Sequence, residues 1–321
     1  MTWIVGIDEA GYGPNLGPFV MTSAACRVPE KLAQADLWQV LRRAVRRHPS
    51  DADGRLLIED SKIVYSTRRG LHDLELGVLA MLSLGQNGED LCLAHAIERL
   101  CPANHADLRA EPWYTGTSLL PRSADKGLLQ EVTVRMERAC RSRHVAWGLV
   151  RSLVICPGRF NQVTEQEGSK GAVLALGLAE LVRAHHELEG DAEPAVFFVD
   201  KHGGRNDYAG ILQHALPEGM VLAHEEGMQR SRYSILGLNR DLRLVFEPRA
   251  DHQHFCVALA SMVSKYLREL LMLEFNHFWQ QHVPGLKSTA GYPGDSARFM
   301  EVIRPAMQHL GIAEPTVWRR R

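Results

Sequence analysis

Trp3-Ile4-Val5-Gly6-Ile7-Asp8-Glu9-Ala10-Gly11-Tyr12-Gly13-Pro14 is the stretch on which the reading of this chain turns. Trp3–Ile7 is a short apolar run that reads as a buried strand, and Gly11, Gly13 and Pro14 read as the turn that breaks it. Two carboxylates, Asp8 and Glu9, sit at the junction. Neighbours on a regular strand point to opposite faces, so both reach one site only where the strand ends or twists. The glycines supply that break. They also leave backbone N–H groups open to a phosphate or a sugar.

Outward from this stretch, Gly17–Val28 reads as a second strand, paired with the first as a long hairpin. Pro29–Arg47 has apolar residues at Leu32, Ala35, Leu37, Val40, Leu41, Ala44 and Val45, which predicts a helix. Leu56–Ser61 runs into a helix start. Residues 67–143 read as an added, mostly helical segment. Its clearest helix carries Leu128, Leu129, Val132, Met136, Ala139 and Cys140, with Ser123 as the N-cap. Val145–Cys156 reads as a strand and Lys170–His186 as a helix. Ala195–Val199 is a strand ending in Asp200, Leu242–Phe246 one ending shortly before Asp251, and His254–Trp279 a long amphipathic helix. Strands first, then strands alternating with helices, predict an α/β fold: a mixed sheet flanked by helices. Residues 1–321 are taken as one domain, with 201–241 as a second insertion between strands.

Composition narrows the classes. The chain has 321 residues, 45% hydrophobic and 23% charged, which excludes a disordered or fibrous protein. With 37 Lys plus Arg against 38 Asp plus Glu the formal net charge is −1, so a generic polycation is excluded and any nucleic-acid contact needs a local basic patch. The longest apolar run, Gly77–Leu84, falls far below a membrane span. The first residues have no basic region before the apolar run, so no signal peptide is expected and a cytoplasmic location is. Six cysteines form no C-x-x-C pair and read as reduced thiols.

The chemistry lies in the strand ends. Asp8-Glu9, Asp200 and Asp251 follow three apolar strands, and sites in open α/β sheets gather where side chains leave the core on rigid backbone. Four carboxylates at one sheet edge repel, and divalent cations relieve that repulsion. Oxygen donors suit Mg²⁺ or Mn²⁺, and a pair of such ions clamps the attacking and leaving oxygens of a phosphodiester. Taken singly, each acid reads as solvated surface; the joint pattern carries the case.

Gly6-Ile7-Asp8-Glu9-Ala10-Gly11-Tyr12-Gly13-Pro14 with Gly17-Pro18 resembles the first motif of the type 2 ribonuclease H family (ribonuclease HII). Asp60-Ser61-Lys62 resembles its D-S-K segment, and Val199-Asp200 its strand-end aspartate. Ala250-Asp251 with Ala258, Ala260, Ser261, Lys265, Arg268 and Glu269 resembles its late acid and helix, and Gly291-Tyr292-Pro293 its last motif. The five segments occur in family order and cover most of the chain outside 67–143 and 201–241. The resemblance implies a ribonuclease H-like catalytic domain, a hydrolase in which Asp8, Glu9, Asp200 and Asp251 hold two Mg²⁺ or Mn²⁺ ions. The implied activity is that of an endonuclease cutting the RNA strand of RNA–DNA hybrids, or of duplexes containing ribonucleotides, to 5′-phosphate products. It implies further that the Gly11-Tyr12-Gly13 backbone grips the ribose 2′-OH, that Lys62 meets a phosphate and that Tyr292 stacks on a sugar. Tyr12 stands where the family has Arg, which puts cleavage at single embedded ribonucleotides in question. Two alternatives stay open: a hybrid-binding module with lost or narrowed catalysis, and a related metal-dependent nuclease acting on DNA. A monomer is expected.

Weaker signals complete the reading. His252 and His254 are taken to cap a helix and face solvent rather than bind metal. Lys201 and Arg205, around the Gly203-Gly204 turn, are balanced between substrate contact and a plain turn. Arg230, Arg232, Glu225 and Glu226 are read as surface charges. Trp113-Tyr114 is read as an aromatic plug anchoring the inserted helices, and Trp318–Arg321 as a basic tail, either touching phosphate or disordered.

Overall fold

A computed structural model describes residues 1–50, 53–84, 92–103, 105–188 and 192–320. Its centre is a seven-stranded mixed sheet. The strands are β1 (Thr2–Ala10), β2 (Phe19–Val28), β3 (Ala146–Ile155), β4 (Ala195–Asp200), β5 (Met220–Glu226), β6 (Ser231–Leu236) and β7 (Leu242–Glu247). They lie in the order β3-β2-β1-β4-β7-β6-β5. β3, β2 and β1 are antiparallel to one another, whereas β1, β4 and β7 run parallel. β6 and β5 return antiparallel at the far edge. The expected mixed sheet flanked by helices is therefore what the chain forms.

Period-two alternation divides the core. Ile4, Val20 and Ala24 face one layer, where they meet the long helix α8 (Phe255–His282). On that side also pack α1 (Ser61–Val64), α2 (His72–Leu82), α3 (Leu93–Leu100) and α4 (Lys126–Arg143). Trp3, Val5, Ile7, Phe19 and Met21 face the other layer, with Phe160 of α5 (Pro157–Glu167), Leu174 and Leu178 of α6 (Gly171–Leu188) and Leu212 of α7 (Ala209–Ala215). A third cluster joins the end of α8 to α9 (Pro293–Leu310) through Phe275, Trp279, Phe299 and Ile303. A Cβ on Gly6 would stand 2.1 Å from the backbone of Cys256 and Val257, so glycine there is what lets α8 lie directly on β1.

Two local expectations are corrected. Pro29–Arg47 is not one helix: it is a 3-10 turn at Glu30–Leu32, a four-residue helix at Leu37–Val40, and an extended pair, Val45–Arg46 with Leu56–Leu57. Asp36 starts the short helix afresh by accepting the Trp38 amide at 2.8 Å, and the buried indole donates to the Ile58 carbonyl at 2.7 Å. Tertiary anchoring of Trp38 thus overrides the apolar rhythm. The N-cap of α4 is Asp125, which accepts the Leu128 amide, not Ser123. The Ser123 amide is held instead by Glu75 at 2.5 Å. β1 pairs with β2 as far as Ala10 and Val20 and ends at the Gly11 turn expected to break it. All six cysteines are free thiols. Among the described residues no helix is long and apolar enough to cross a membrane.

Candidate active site

The three parallel strands finish side by side. β1 loses its β4 partner after the Ile7–Val199 pair, so Asp8 and Glu9 lie in the notch where β1 and β4 part. Asp200 ends β4 opposite Glu247 of β7. After β7 the chain turns sharply: Arg249 adopts a left-handed backbone (φ 56°), and Asp251 sits in the 3-10 turn Ala250–His252 that follows. Asp200 fixes this turn by accepting the Ala250 amide at 2.9 Å. The Asp251 carboxylate accepts the His252 amide at 2.9 Å, and that of Asp8 accepts the Glu9 amide at 2.8 Å. The small face of α8 supports the notch from below, where the Ser264 hydroxyl donates to the Asp8 carbonyl at 3.1 Å.

The electrostatics identify a cluster. Burial, then the charges of Glu9 and Asp200, hold the Asp8 carboxyl well above the usual range. Burial and Asp200 push Glu9 up to about 7, against the pull of Lys62. Burial raises Asp200. Burial, Asp60 and Asp200 push Asp251 up to about 6. Each of Asp8, Glu9 and Asp251 is raised by other acids of the set, so the fold brings together the four residues read from sequence. Lys62 is the cation that faces them. It projects from α1, whose cap Asp60 accepts the Lys62 amide at 2.9 Å, and its ammonium is stabilised by Asp60, Asp251, Asp8 and Asp200.

Whether this set suits a divalent cation is a question of donor chemistry. Four carboxylates raised by burial, three of them also by one another's charge, are relieved by positive charge, and their hard oxygen donors fit Mg²⁺ or Mn²⁺. Among the described residues, no three His, Cys, Asp or Glu side chains already stand in coordinating geometry.

The residues expected to grip the sugar lie together. Gly11 (φ 84°) could not carry a side chain, because a Cβ would stand 2.4 Å from Nε of Arg268. Tyr12 is half-buried, its ring 6.4 Å from Phe19 and capped by the Lys170 ammonium at 4.6 Å. Tyr292 is 49% exposed and its ring lies 3.9 Å from the position of a Cβ on Gly13. The Gly291 carbonyl accepts the amides of Asn15 and Leu16, which ties the Tyr292 segment to the glycine loop.

Several surrounding readings change. His252 and His254 do not simply face solvent: His252 Nδ1 lies 3.1 Å from Glu59, and His254 Nε2 lies 2.9 Å from Glu247 while its ring stacks on Phe198 at 3.8 Å. Lys201 is buried and donates to Asn206 Oδ1, the Gly227 carbonyl and Ser231, so it ties its loop to the β5–β6 hairpin instead of facing a ligand. Glu225 pairs with Arg230 and Arg232, and Glu226 accepts the Tyr233 hydroxyl, as surface charges do. Trp113 packs its ring 5.0 Å from Phe275, as an anchor. The C-terminal tail is no loose basic arm. Arg319 is 1% exposed and donates to the Gly11 carbonyl at 2.7 Å, and Arg320 pairs with Glu165 at 2.7 Å. The sequence marked Arg319 only as part of a tail either touching phosphate or disordered, since nothing local to Trp318–Arg321 signals that it reaches a loop 308 residues away.

No protein-family model matches the chain, and no curated protein matches it. Among solved structures, a chain of the PCNA–ribonuclease HII complex from Archaeoglobus fulgidus aligns at 16% identity and a TM-score of 0.45, covering 99% of this chain and 94% of that one. Ribonuclease H2 from Pyrococcus horikoshii OT3 aligns at 15% identity and 0.45, covering 98% and 92%. Bst ribonuclease HIII in complex with Mn²⁺ aligns at 13% identity and 0.45, covering 99% of this chain and 66% of that one.

Proposed function

We propose that this chain is a metal-dependent endonuclease that hydrolyses the RNA strand of RNA–DNA hybrids to 5′-phosphate products. The observation that carries the reading is the placement of Asp8, Glu9, Asp200 and Asp251 at three adjacent strand ends, where burial and then neighbouring acids raise Asp8, Glu9 and Asp251. Such a cluster opposes folding unless a cation joins it. Asp8, Glu9, Asp200 and Asp251 would hold two Mg²⁺ or Mn²⁺ ions. When bound, these ions supply a water of lowered pKa and charge stabilisation for the leaving oxygen.

The chain's own groups do the rest. The amides around Gly11 and Gly13 face the ribose, where the 2′-OH separates RNA from DNA. Tyr292 offers an exposed aromatic face beside them for a sugar. Lys62 takes a phosphate oxygen as a point charge and, until substrate arrives, offsets part of the cluster's negative charge.

The test is cleavage of an end-labelled RNA–DNA hybrid and of the all-DNA duplex of the same sequence, with Mg²⁺ or Mn²⁺, by wild type and Asp8→Asn. Hybrid cleavage by the wild type alone is expected. Binding of the hybrid without turnover makes the chain a binding module. Equal cutting of DNA makes it a DNA nuclease, and equal activity of both proteins removes the acids from the chemistry.

A further inference from the structure

Two arginines lie buried beneath the Gly11-Tyr12-Gly13 loop, and neither is satisfied. Arg268 comes from α8 and Arg319 from the C-terminal tail; each is 1% exposed. Arg319 donates through Nη1 to the Gly11 carbonyl at 2.7 Å, yet its Nε and Nη2 have no partner. Arg268 donates through Nη2 to the carbonyls of Ala290 (2.9 Å) and Leu16 (3.4 Å), yet its Nε and Nη1 have no hydrogen-bond partner.

The two charges also oppose one another. Burial and the nearby Arg268 push Arg319 down to about 9. The carboxylate beside them is Glu269, 3.9 Å from Arg268 Nη1, and it is already held by Lys265 at 2.6 Å and Tyr65 at 2.8 Å. A guanidinium has five N–H donors and no means of shedding its charge at neutral pH. Each buried donor left without a hydrogen-bond partner is costly, and two like charges held near each other in the interior add to that. A fold keeps such a pair when an anion completes it.

The surroundings say which anion. Arg319 lies over the Phe160 ring at 4.8 Å and Arg268 over the Tyr292 ring at 5.9 Å, so aromatic faces form the walls. Gly13 and half-exposed Tyr292 form the outer rim. The free Nε and Nη2 of Arg319 share one edge of its guanidinium and match an oxyanion in two-pronged fashion, while Arg268, whose Nη2 is already taken by carbonyls, adds single N–H groups.

We infer that Arg268 and Arg319 form an anion site for phosphate under the glycine loop, with Tyr292 as its outer wall. In the working complex the phosphate is one of the nucleic-acid backbone, a step that rests on the function proposed above. The C-terminal tail is then part of substrate binding, held in place by the Asn15 carbonyl, which accepts the Arg319 amide at 2.8 Å, and by Asn161, which donates to the Trp318 carbonyl at 2.8 Å.

The experiment has two arms on full-length protein without divalent cation. The first is thermal unfolding in sodium phosphate against sodium chloride at equal ionic strength. The second is fluorescence anisotropy of an RNA–DNA hybrid across a salt series. Phosphate is expected to raise the melting temperature of the wild type and not that of Arg319→Gln. Arg319→Gln should also lower the log–log salt slope by about one, the mark of one lost phosphate contact. Should Arg319→Gln fail to fold, Arg319→Lys replaces it: the retained charge keeps the salt slope, and the lost fork removes most of the phosphate protection. Phosphate protection lost in the variant with an unchanged slope keeps the site and assigns it to free anion. Wild-type-like protection and slope in both variants overturn the inference. Absence of any hybrid binding by the wild type defeats the proposed function but leaves the phosphate arm as a reading of the site.

Discussion

Two groups of buried carboxylates in this molecule are built on opposite principles. Glu75 in α2 is 0% exposed and receives four donors: the amides of Arg122, Ser123 and Ala124, and the Tyr266 hydroxyl. Glu274 in α8 likewise takes the amides of Thr115 and Gly116 and the hydroxyls of Thr115 and Ser118. Each pins the irregular stretch 111–124 to a helix. At the strand ends, by contrast, Asp8, Asp200 and Asp251 each accept an amide at 2.8 to 2.9 Å, and besides Ser261 at Asp8 and the Lys62 and His252 side chains they have other acids as near neighbours. A carboxylate that holds structure is saturated with donors. One left short of donors among its own kind is poised for a cation brought from outside.

Exchanging the chemistry at each place should break the contrast in opposite directions. Asp8→Asn is expected to lower kcat/KM on a hybrid by at least about 10³-fold, equivalent to about 4 kcal/mol of transition-state stabilisation, while the unfolding midpoint without metal holds or rises. Glu75→Ala should do the reverse. It strands three amides and a hydroxyl, and costs about 3 kcal/mol of stability, read by denaturant unfolding, with the activity of the folded fraction kept. A large stability loss in Asp8→Asn, or none in Glu75→Ala, would erase the distinction.

Acidity sharpens it further. Glu9 at about 7 and Asp251 at about 6 stand above their ordinary values of 4.5 and 3.8. The folded, metal-free protein therefore binds protons that the unfolded chain releases. The stability this confers is complete at low pH and is lost as pH rises through 6 and 7. Melting temperature in chelator should fall from pH 5 to pH 8, and saturating Mg²⁺ should remove most of that fall. Asp251→Asn should shrink the fall. A flat profile in chelator would place the acids in solvent. The smallest effect belongs to Tyr292→Ala, for which KM on a hybrid is expected to rise about three- to tenfold, the value of one stacking contact, with kcat nearly unchanged.

Sequence made legible what is local. An apolar run entering acid, then Gly-x-Gly-Pro, marks β1 and its end within a dozen residues, and the same pattern marks Asp200 and Asp251. The relation among those ends was legible because parallel neighbours align their C-terminal tips. What stayed hidden is set by distant contacts. The β5–β6 hairpin widens the sheet within a segment read only as an insertion, although Ser231, Tyr233 and Ile235 alternate with exposed Arg232 and Leu236 in the way a strand with one solvated face does. Arg319 looks like tail charge until the fold carries it to Gly11. Ser123 looks like a cap until Glu75 claims its amide. In each case a partner hundreds or tens of residues away decides between two locally equal readings.

Mn²⁺ binding to wild type and to Asp8→Asn, followed by the loss of the free-ion paramagnetic resonance signal, tests the acid cluster most directly. Two ions per chain in the wild type, with the variant losing at least one, is the expected result. Equal uptake by both proteins, or none by either, would contradict the assignment of these strand ends to cations.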